Sequence, residues 1–263
     1  MIDMPRFESI VREAGRIAHA MWPGAGGNVK SWDKTPGSPV CDADLAVDAF
    51  LKRELTALLP AGGWLSEETV DDPTRLERSL LWLVDPIDGT RDFVRGRPGW
   101  TVSIALINDG RPLLAALEAP ARAEAWRAEA GRGASMNGEA IAASSRSELD
   151  GARIPAASLA KVDRLFTPVE QPNSIALRIA MVADDRADLV ATLRWGHEWD
   201  IAAACLVARE AGARATDAFG QQLAYNKRDP RAFGVLVSAP AIHGAAVDHL
   251  AQRAAALGSS GKA

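Results

Sequence analysis

The stretch Leu80-Leu81-Trp82-Leu83-Val84-Asp85-Pro86-Ile87-Asp88-Gly89-Thr90 constrains this chain more than any other. Its uncharged apolar run reads as a strand covered on both faces, and such a strand needs layers above and below it. The run stops on an acid, a proline, a second acid and a glycine. Two carboxylates roughly 4 Å apart would repel by about 4 kcal/mol at an effective dielectric of about 20, and a cation relieves that. Pro86 keeps Asp85 out of the helical region, while Gly89 lets the backbone turn so that the amides of Gly89 and Thr90 can face an anion. The stretch predicts a divalent-metal site beside an oxyanion site. An isolated Asp-x-x-Asp is more often an acidic turn that caps the next helix, so the remaining chain has to decide.

Around this strand the pattern alternates helix and strand. Phe7, Ile10, Val11, Ala14, Ile17, Ala18 and Met21 recur at helical spacing between Pro5 and Met21, with His19 on or near that stripe and without an assigned role. Glycines and prolines from Trp22 to Pro39 predict a loop or a short irregular hairpin. Asp42-Ala43-Asp44 opens a second helix, whose buried stripe is Val47, Leu51, Leu55 and Leu58; its acids read as caps. Gly63 to Glu68 is a short strand ending on paired acids, and Asp71 to Glu77 a capped turn. Three runs, Trp100 to Ile107, Leu113 to Glu118 and Arg122 to Arg127, predict an antiparallel meander. The pattern thins from Ser144 to Asn173, with strands at Ala152 to Ile154 and Leu165 to Phe166. Beyond it lie a helix at Ser174 to Ala183, a strand at Ala187 to Leu193, and an apolar helix from Glu198 to Gly212 with Asp200 in its first turn and Cys205 facing inward. A strand at Phe233 to Val237 and a helix from Pro240 to Leu257 close the chain. His243 and His249 are read as exposed, and Gly258 to Ala263 as frayed.

Composition removes other classes of function. With 263 residues, 48% of them hydrophobic, the chain can bury a large core. A net charge of −4 argues against a nucleic-acid polymer as partner. No run approaches the ~20 apolar residues of a membrane span, and the N-terminus lacks the pattern of a signal peptide, so the expected compartment is the cytoplasm. Cys41 and Cys205 stand far apart, in no metal-ligand spacing.

Three elements then agree in order and spacing: Asp85-Pro86-Ile87-Asp88-Gly89-Thr90, Glu67-Glu68, and Trp199-Asp200-Ile201-Ala202-Ala203 leading to Ala211-Gly212. Together they resemble the signatures of the inositol monophosphatase superfamily. The resemblance implies a mixed α+β fold, a layered αβαβα sandwich, with an N-terminal α+β half over residues 1–140 and a C-terminal α/β half over 141–263. It implies Mg²⁺, two or three ions per site: Glu67, Asp85 and the Ile87 carbonyl at one, Asp85, Asp88 and Asp200 at a second, and Asp44 shaping a weaker third. Glu67 with the Thr90 hydroxyl would activate water, and Asp88, Gly89, Thr90, Arg194, His197 and Lys227 would contact phosphate or substrate. The family's Thr-x-x-Asp element appears here as Cys41-Asp42-Ala43-Asp44, which is expected to remove a hydrogen-bonding group behind the metals.

The implied reaction is hydrolysis of a small phosphorylated metabolite, inhibited by lithium, in a homodimer. Inositol monophosphate and 3′-phosphoadenosine 5′-phosphate are the two candidate substrates, with histidinol phosphate and fructose 1,6-bisphosphate as alternatives. Leu193 stands seven residues before Asp200, where the inositol enzymes carry a glutamate, whereas Leu65-Ser66-Glu67-Glu68 and Tyr225-Asn226-Lys227 resemble the bisphosphate nucleotidases. A fold-retaining ligand sensor is the alternative of another class. It would be marked by a lost metal ligand, and none of the five positions is lost.

Overall fold

A computed structural model describes residues 2–259, with the side chain of Ser259 left aside. In chain order it forms α1 (Met4–Met21), β1 (Ser31–Thr35), β2 (Ser38–Cys41), α2 (Asp42–Leu58), β3 (Gly63–Ser66), β4 (Leu80–Asp88), α3 (Thr90–Val94), β5 (Thr101–Asn108), β6 (Arg111–Ala119), β7 (Glu124–Glu129), β8 (Ala134–Met136) and β9 (Glu139–Ala140). There follow β10 (Arg153–Pro155), β11 (Thr167–Val169), α4 (Ile175–Ala183), β12 (Leu189–His197), α5 (Glu198–Glu210), β13 (Arg214–Thr216), β14 (Arg231–Ser238) and α6 (His243–Ser259). Strands β3 to β9 form one seven-stranded sheet in sequence order, parallel between β3 and β4 and antiparallel elsewhere. A second sheet runs β12-β14-β13, antiparallel throughout.

The apolar run of β4 explains the layering. Trp82 and Val84 face α1 and α2, packing with Phe7, Val11, Val47 and Leu51. Leu81 and Leu83 face the other way, onto α4 and α5. Helix α4 carries almost no polar face, because it lies between the two sheets and is covered on all sides. Alanines dominate the buried surface of α5, which lets its backbone approach the strands closely. A larger side chain at Ala203 would overpack that layer at a cost of about 1–3 kcal/mol. Val190, Val235 and Val237 close the far side of this layer, and α6 with the residue just before it covers the outer face of the second sheet through Ile242, Ala246 and Leu250. The layers run α1/α2, sheet, α4/α5, sheet, α6, which is the αβαβα sandwich.

Four local expectations need correcting. Strand β4 does not stop at Val84 but continues to Asp88, and β12 extends past Leu193 to His197. Histidines 243 and 249 are not exposed. The ring of His243 is 4% accessible and sits between Thr216 Oγ1 at 3.1 Å and Ser238 Oγ at 2.9 Å, because the first turn of α6 packs onto the ends of β13 and β14. The ring of His249 is turned toward Asp163 at 3.0 Å. Gly258 lies within α6 rather than in a frayed tail, and residues 260–263 of that expectation fall outside the described chain. The loop-or-hairpin stretch forms the β1–β2 hairpin, and the thin segment 144–173 contains the three-residue parallel pair β10–β11.

Candidate active site

Asp85 and Asp88 are three residues apart, so in an unbroken strand they would point to opposite faces. They do not, because the β4–β5 register slips between them: Asp85 pairs with Ser103, and Asp88 with Thr101. Three steps on β4 face two on β5, which is a β-bulge, and it falls at Pro86, the residue with no N–H to give to the ladder. The bulge brings both carboxylates to one side of the sheet. Asp85 then accepts the Ile87 N–H at 3.1 Å. Gly89 follows at φ +98°, and a Cβ there would stand 2.6 Å from the Gly99 carbonyl oxygen, so only glycine makes this turn.

Two helices aim their first turns at the same place. In α2 the carboxylate of Asp44 accepts the N–H of Cys41 at 2.8 Å, its thiol at 2.8 Å and the Thr90 hydroxyl at 3.1 Å. The thiol thus takes up the contact expected of the missing hydroxyl, and the expected loss of a hydrogen-bonding group does not occur. In α5 Asp200 holds the equivalent position and accepts the N–H of His197 at 3.1 Å. Acids at these ends are favoured by the helix dipoles. Glu67 leaves the end of β3, with its N–H on the Val84 carbonyl at 3.3 Å. Glu67, Asp85 and Asp200 can each place a carboxylate oxygen within 4.8 Å of the other two. These residues, with Asp88, Ile87, Gly89, Thr90, Asn173 and Arg194, line a cavity of about 230 Å³.

The acids strain one another electrostatically. Burial, reinforced by Glu67, Asp88 and Asp200, pushes the Asp85 carboxyl far above its ordinary value. Asp200 rises to about 8 through burial and the charges of Asp88 and Glu67. Asp88 rises only to about 6, because Ser174 Oγ at 2.5 Å and the Ala176 N–H at 2.7 Å oppose its burial. A bound divalent cation would reverse all three shifts, and the donors present, four carboxylates and a carbonyl, are the hard oxygens such an ion takes. Lys34 of β1 partly answers the charge: its ammonium is 2.8 Å from both Glu67 and Glu68.

Of the other expected contacts, Arg194 reaches the cavity. His197 stacks on Trp199 at 4.3 Å and lines a smaller pocket with Asp200. Burial holds its imidazole below the usual value. Lys227 is not among the lining residues of the acidic cavity; its ammonium bonds the Arg231 carbonyl and lies 3.6 Å from Glu198. Sequence reasoning missed Lys34, Ser174 and Asp48. Asp48 accepts hydrogen bonds from Ser66 and Thr69, on either side of the Glu67–Glu68 turn. The spacing of Asp44 and Asp48, one helical turn apart, was the available signal.

The inositol monophosphatase family model matches residues 7–255, and the chain belongs to that family. It is a phosphatase of that family. A Streptomyces griseus protein named glucose-1-phosphate thymidylyltransferase is 36% identical over 228 residues, 81% of this chain and 87% of that protein. A Mycobacterium tuberculosis histidinol-phosphatase is 37% identical over 199 residues, 70% of this chain and 75% of that protein. Those two names denote different reactions, so neither passes to this chain. A solved Thermotoga maritima IMPase superposes with a TM-score of 0.82 at 27% identity, covering 97% of this chain and all of its own, 100%. Among the described residues no helix is long and apolar enough to cross a membrane.

Proposed function

We propose that this phosphatase is Mg²⁺-dependent and hydrolyses a small phosphorylated metabolite in the acid-lined cavity. The observation that carries the reading is the convergence of Glu67, Asp85 and Asp200 within 4.8 Å. Glu67, Asp85 and the Ile87 carbonyl would hold one ion, and Asp85, Asp88 and Asp200 another. Bound there, Mg²⁺ would supply charge neutralisation at the phosphate oxygens and a more acidic water. Glu67, just past the end of β3, would take the proton from the attacking water. The Thr90 hydroxyl, 3.1 Å from Asp44 and 3.0 Å from the Ile87 carbonyl, orients it. The Gly89 and Thr90 amides would hold phosphate oxygens as charge develops on them.

Two observations bear on the substrate. Leu193 offers no acceptor for an inositol hydroxyl, and Arg194 borders the cavity. Inositol monophosphate and 3′-phosphoadenosine 5′-phosphate are the candidates, and histidinol phosphate and fructose 1,6-bisphosphate the alternatives. Phosphate release from all four, with Mg²⁺ and with EDTA, tests the reading. Turnover of at least one that disappears with EDTA is expected. Silence on all four with metal bound, or turnover unaffected by EDTA, would overturn it.

A further inference from the structure

The turn that carries Glu67 and Glu68 is fixed from outside, by a residue of α2 that no motif marks. Asp48 is 7% exposed, and its carboxylate accepts the Ser66 hydroxyl on one oxygen and the Thr69 hydroxyl, at 2.7 Å, on the other. Those two donors stand on either side of Glu67-Glu68. Each is itself engaged: Ser66 Oγ accepts the Glu68 N–H at 3.4 Å, and Thr69 Oγ1 accepts the Trp64 indole N–H at 3.3 Å. The run from Trp64 to Thr69 is thereby hung on one carboxylate. Among the described residues, hydroxyls rather than a cation meet that carboxylate. A nearly buried acid without a cation is less favourable than an apolar side chain of its size, so packing alone gives no reason for an acid here.

Asp44 stands one turn earlier on the same face of α2. It accepts the Thr90 hydroxyl at 3.1 Å, and the same hydroxyl lies 3.0 Å from the Ile87 carbonyl. Successive turns of one helix, about 6 Å apart along its axis, therefore hold the Glu67 turn and the Thr90 hydroxyl. Glu67 and Thr90 are the pair that would activate the water. The Glu67 carboxylate itself is met at 2.8 Å by Lys34, which comes from the exposed strand β1. The core thus controls the backbone of this turn through Asp48 rather than the head group of Glu67.

We propose that Asp48 is a positioning residue for water activation: it keeps the Glu67 carboxylate in place against the Thr90 hydroxyl and the metal-binding acids, without touching metal or substrate itself. The role rests on the phosphatase reading of the acid-lined cavity. A shift of about 1 Å in such a group can slow a reaction about 100-fold, whereas the phosphate, held at Gly89 and Thr90, would still bind.

The test uses Asp48→Asn and Thr69→Val, which each disable one part of the clamp, and Thr69→Ser, which keeps the hydroxyl. Thr69 is only part-buried, so its variants keep the test open if Asp48→Asn folds poorly. With Mg²⁺ and any of the four phosphorylated metabolites that is turned over, Asp48→Asn and Thr69→Val should each lower kcat about 10- to 100-fold while KM moves by less than about twofold. Thr69→Ser should stay within about threefold of the wild-type kcat. A kcat within about twofold of wild type in both Asp48→Asn and Thr69→Val, whatever their thermal unfolding, would make Asp48 merely structural and overturn the proposal; so would a Thr69→Ser protein as slow as Thr69→Val. Calorimetric titration with Mg²⁺ alone separates this from failure of the phosphatase reading, since it needs no turnover. Mg²⁺ affinity should be about tenfold weaker in Asp48→Asn and Thr69→Val and close to wild type in Thr69→Ser. Equal affinity in all four proteins would sink the positioning role whatever the catalytic result.

Discussion

The acid-lined cavity adjoins a larger one of about 600 Å³ lined by Arg91, Arg95, Arg97, Arg178 and Arg194, and the two are built alike and charged oppositely. Each owes its shape to a β-bulge: at Pro86–Ile87 in β4 for the acids, and between Thr192 and Trp195 in β12 for Arg194. The second bulge needs Gly234 opposite it, at φ +69°, where a Cβ would collide with the Thr192 carbonyl oxygen. Surroundings separate them. The acids sit at the mouth of a strand buried between layers, where charges interact strongly, whereas Arg95, Arg97 and Arg194 are exposed and screened. Clustered buried charge needs a resident counter-ion; clustered exposed charge is screened by water and salt.

The largest expected effect breaks the acidic side alone. Asp88→Asn and Asp200→Asn should each fold and lose about 1000-fold in Mg²⁺-dependent turnover, a barrier increase of about 4 kcal/mol. Phosphate release and thermal unfolding on the same preparations check this. Near-normal rates in both would remove the acids from the reaction. Ser174→Ala probes how Asp88 is held, since that hydroxyl also accepts the Leu177 N–H at 2.9 Å as the cap of α4. A drop of about 10- to 100-fold in Mg²⁺ affinity is expected, with about 1 kcal/mol of stability lost with the cap. A titration calorimeter and a denaturation curve separate the two.

Protons provide a sharper contrast, because Asp200 changes charge near neutrality. Its pKa of about 8 is raised above the unfolded value, so the folded, metal-free protein binds the extra proton. That contribution to stability is present at low pH and lost as pH rises through about 8. Mg²⁺ needs the deprotonated carboxylate, so affinity should climb by up to about tenfold per pH unit below that value and level off above it. Flat affinity between pH 6 and pH 8 would contradict the raised pKa of Asp200.

These differences also decide what could be read in advance. Asp85, Asp88, Glu67 and Asp200 were legible because each ends an apolar strand or opens an apolar helix, so motif and periodicity marked the same positions. The arginines share no local pattern. Arg91 lies in α3 and Arg95 caps its end, Arg97 lies in the following turn, Arg178 on α4 and Arg194 in the bulge of β12, and only tertiary packing assembles them. The bulge itself hid the end of β12, since an extra residue breaks the alternation that reveals a strand. Asp48 was read as part of a helix, and its service to the Glu67 turn depends on β3 lying beside α2.

Exposure makes the basic side more sensitive to salt. Raising NaCl from about 0.05 M to about 0.5 M shortens the screening length severalfold, so KM for a substrate that Arg194 contacts should rise by about fivefold while kcat holds. A parallel fall in kcat would place the salt effect at the metals instead.

The smallest effect concerns Lys34, whose ammonium is ion-paired to Glu67 on the acidic side. Its ammonium lies 2.8 Å from Glu67 and from Glu68; burial pulls its pKa down, but those two carboxylates outweigh it and keep it protonated well past neutrality. Mg²⁺ must displace this contact to use Glu67, so the lysine competes with the ion. The pair is part-exposed, and pairs of this kind contribute at most about 1 kcal/mol, so Lys34→Met should tighten Mg²⁺ binding by about two- to fivefold. Glu68 would lose its partner as well, and its carboxyl, already raised to about 7 by burial, would rise further. Weaker Mg²⁺ binding in Lys34→Met would mean that the lysine organises Glu67 for the metal rather than standing in for it.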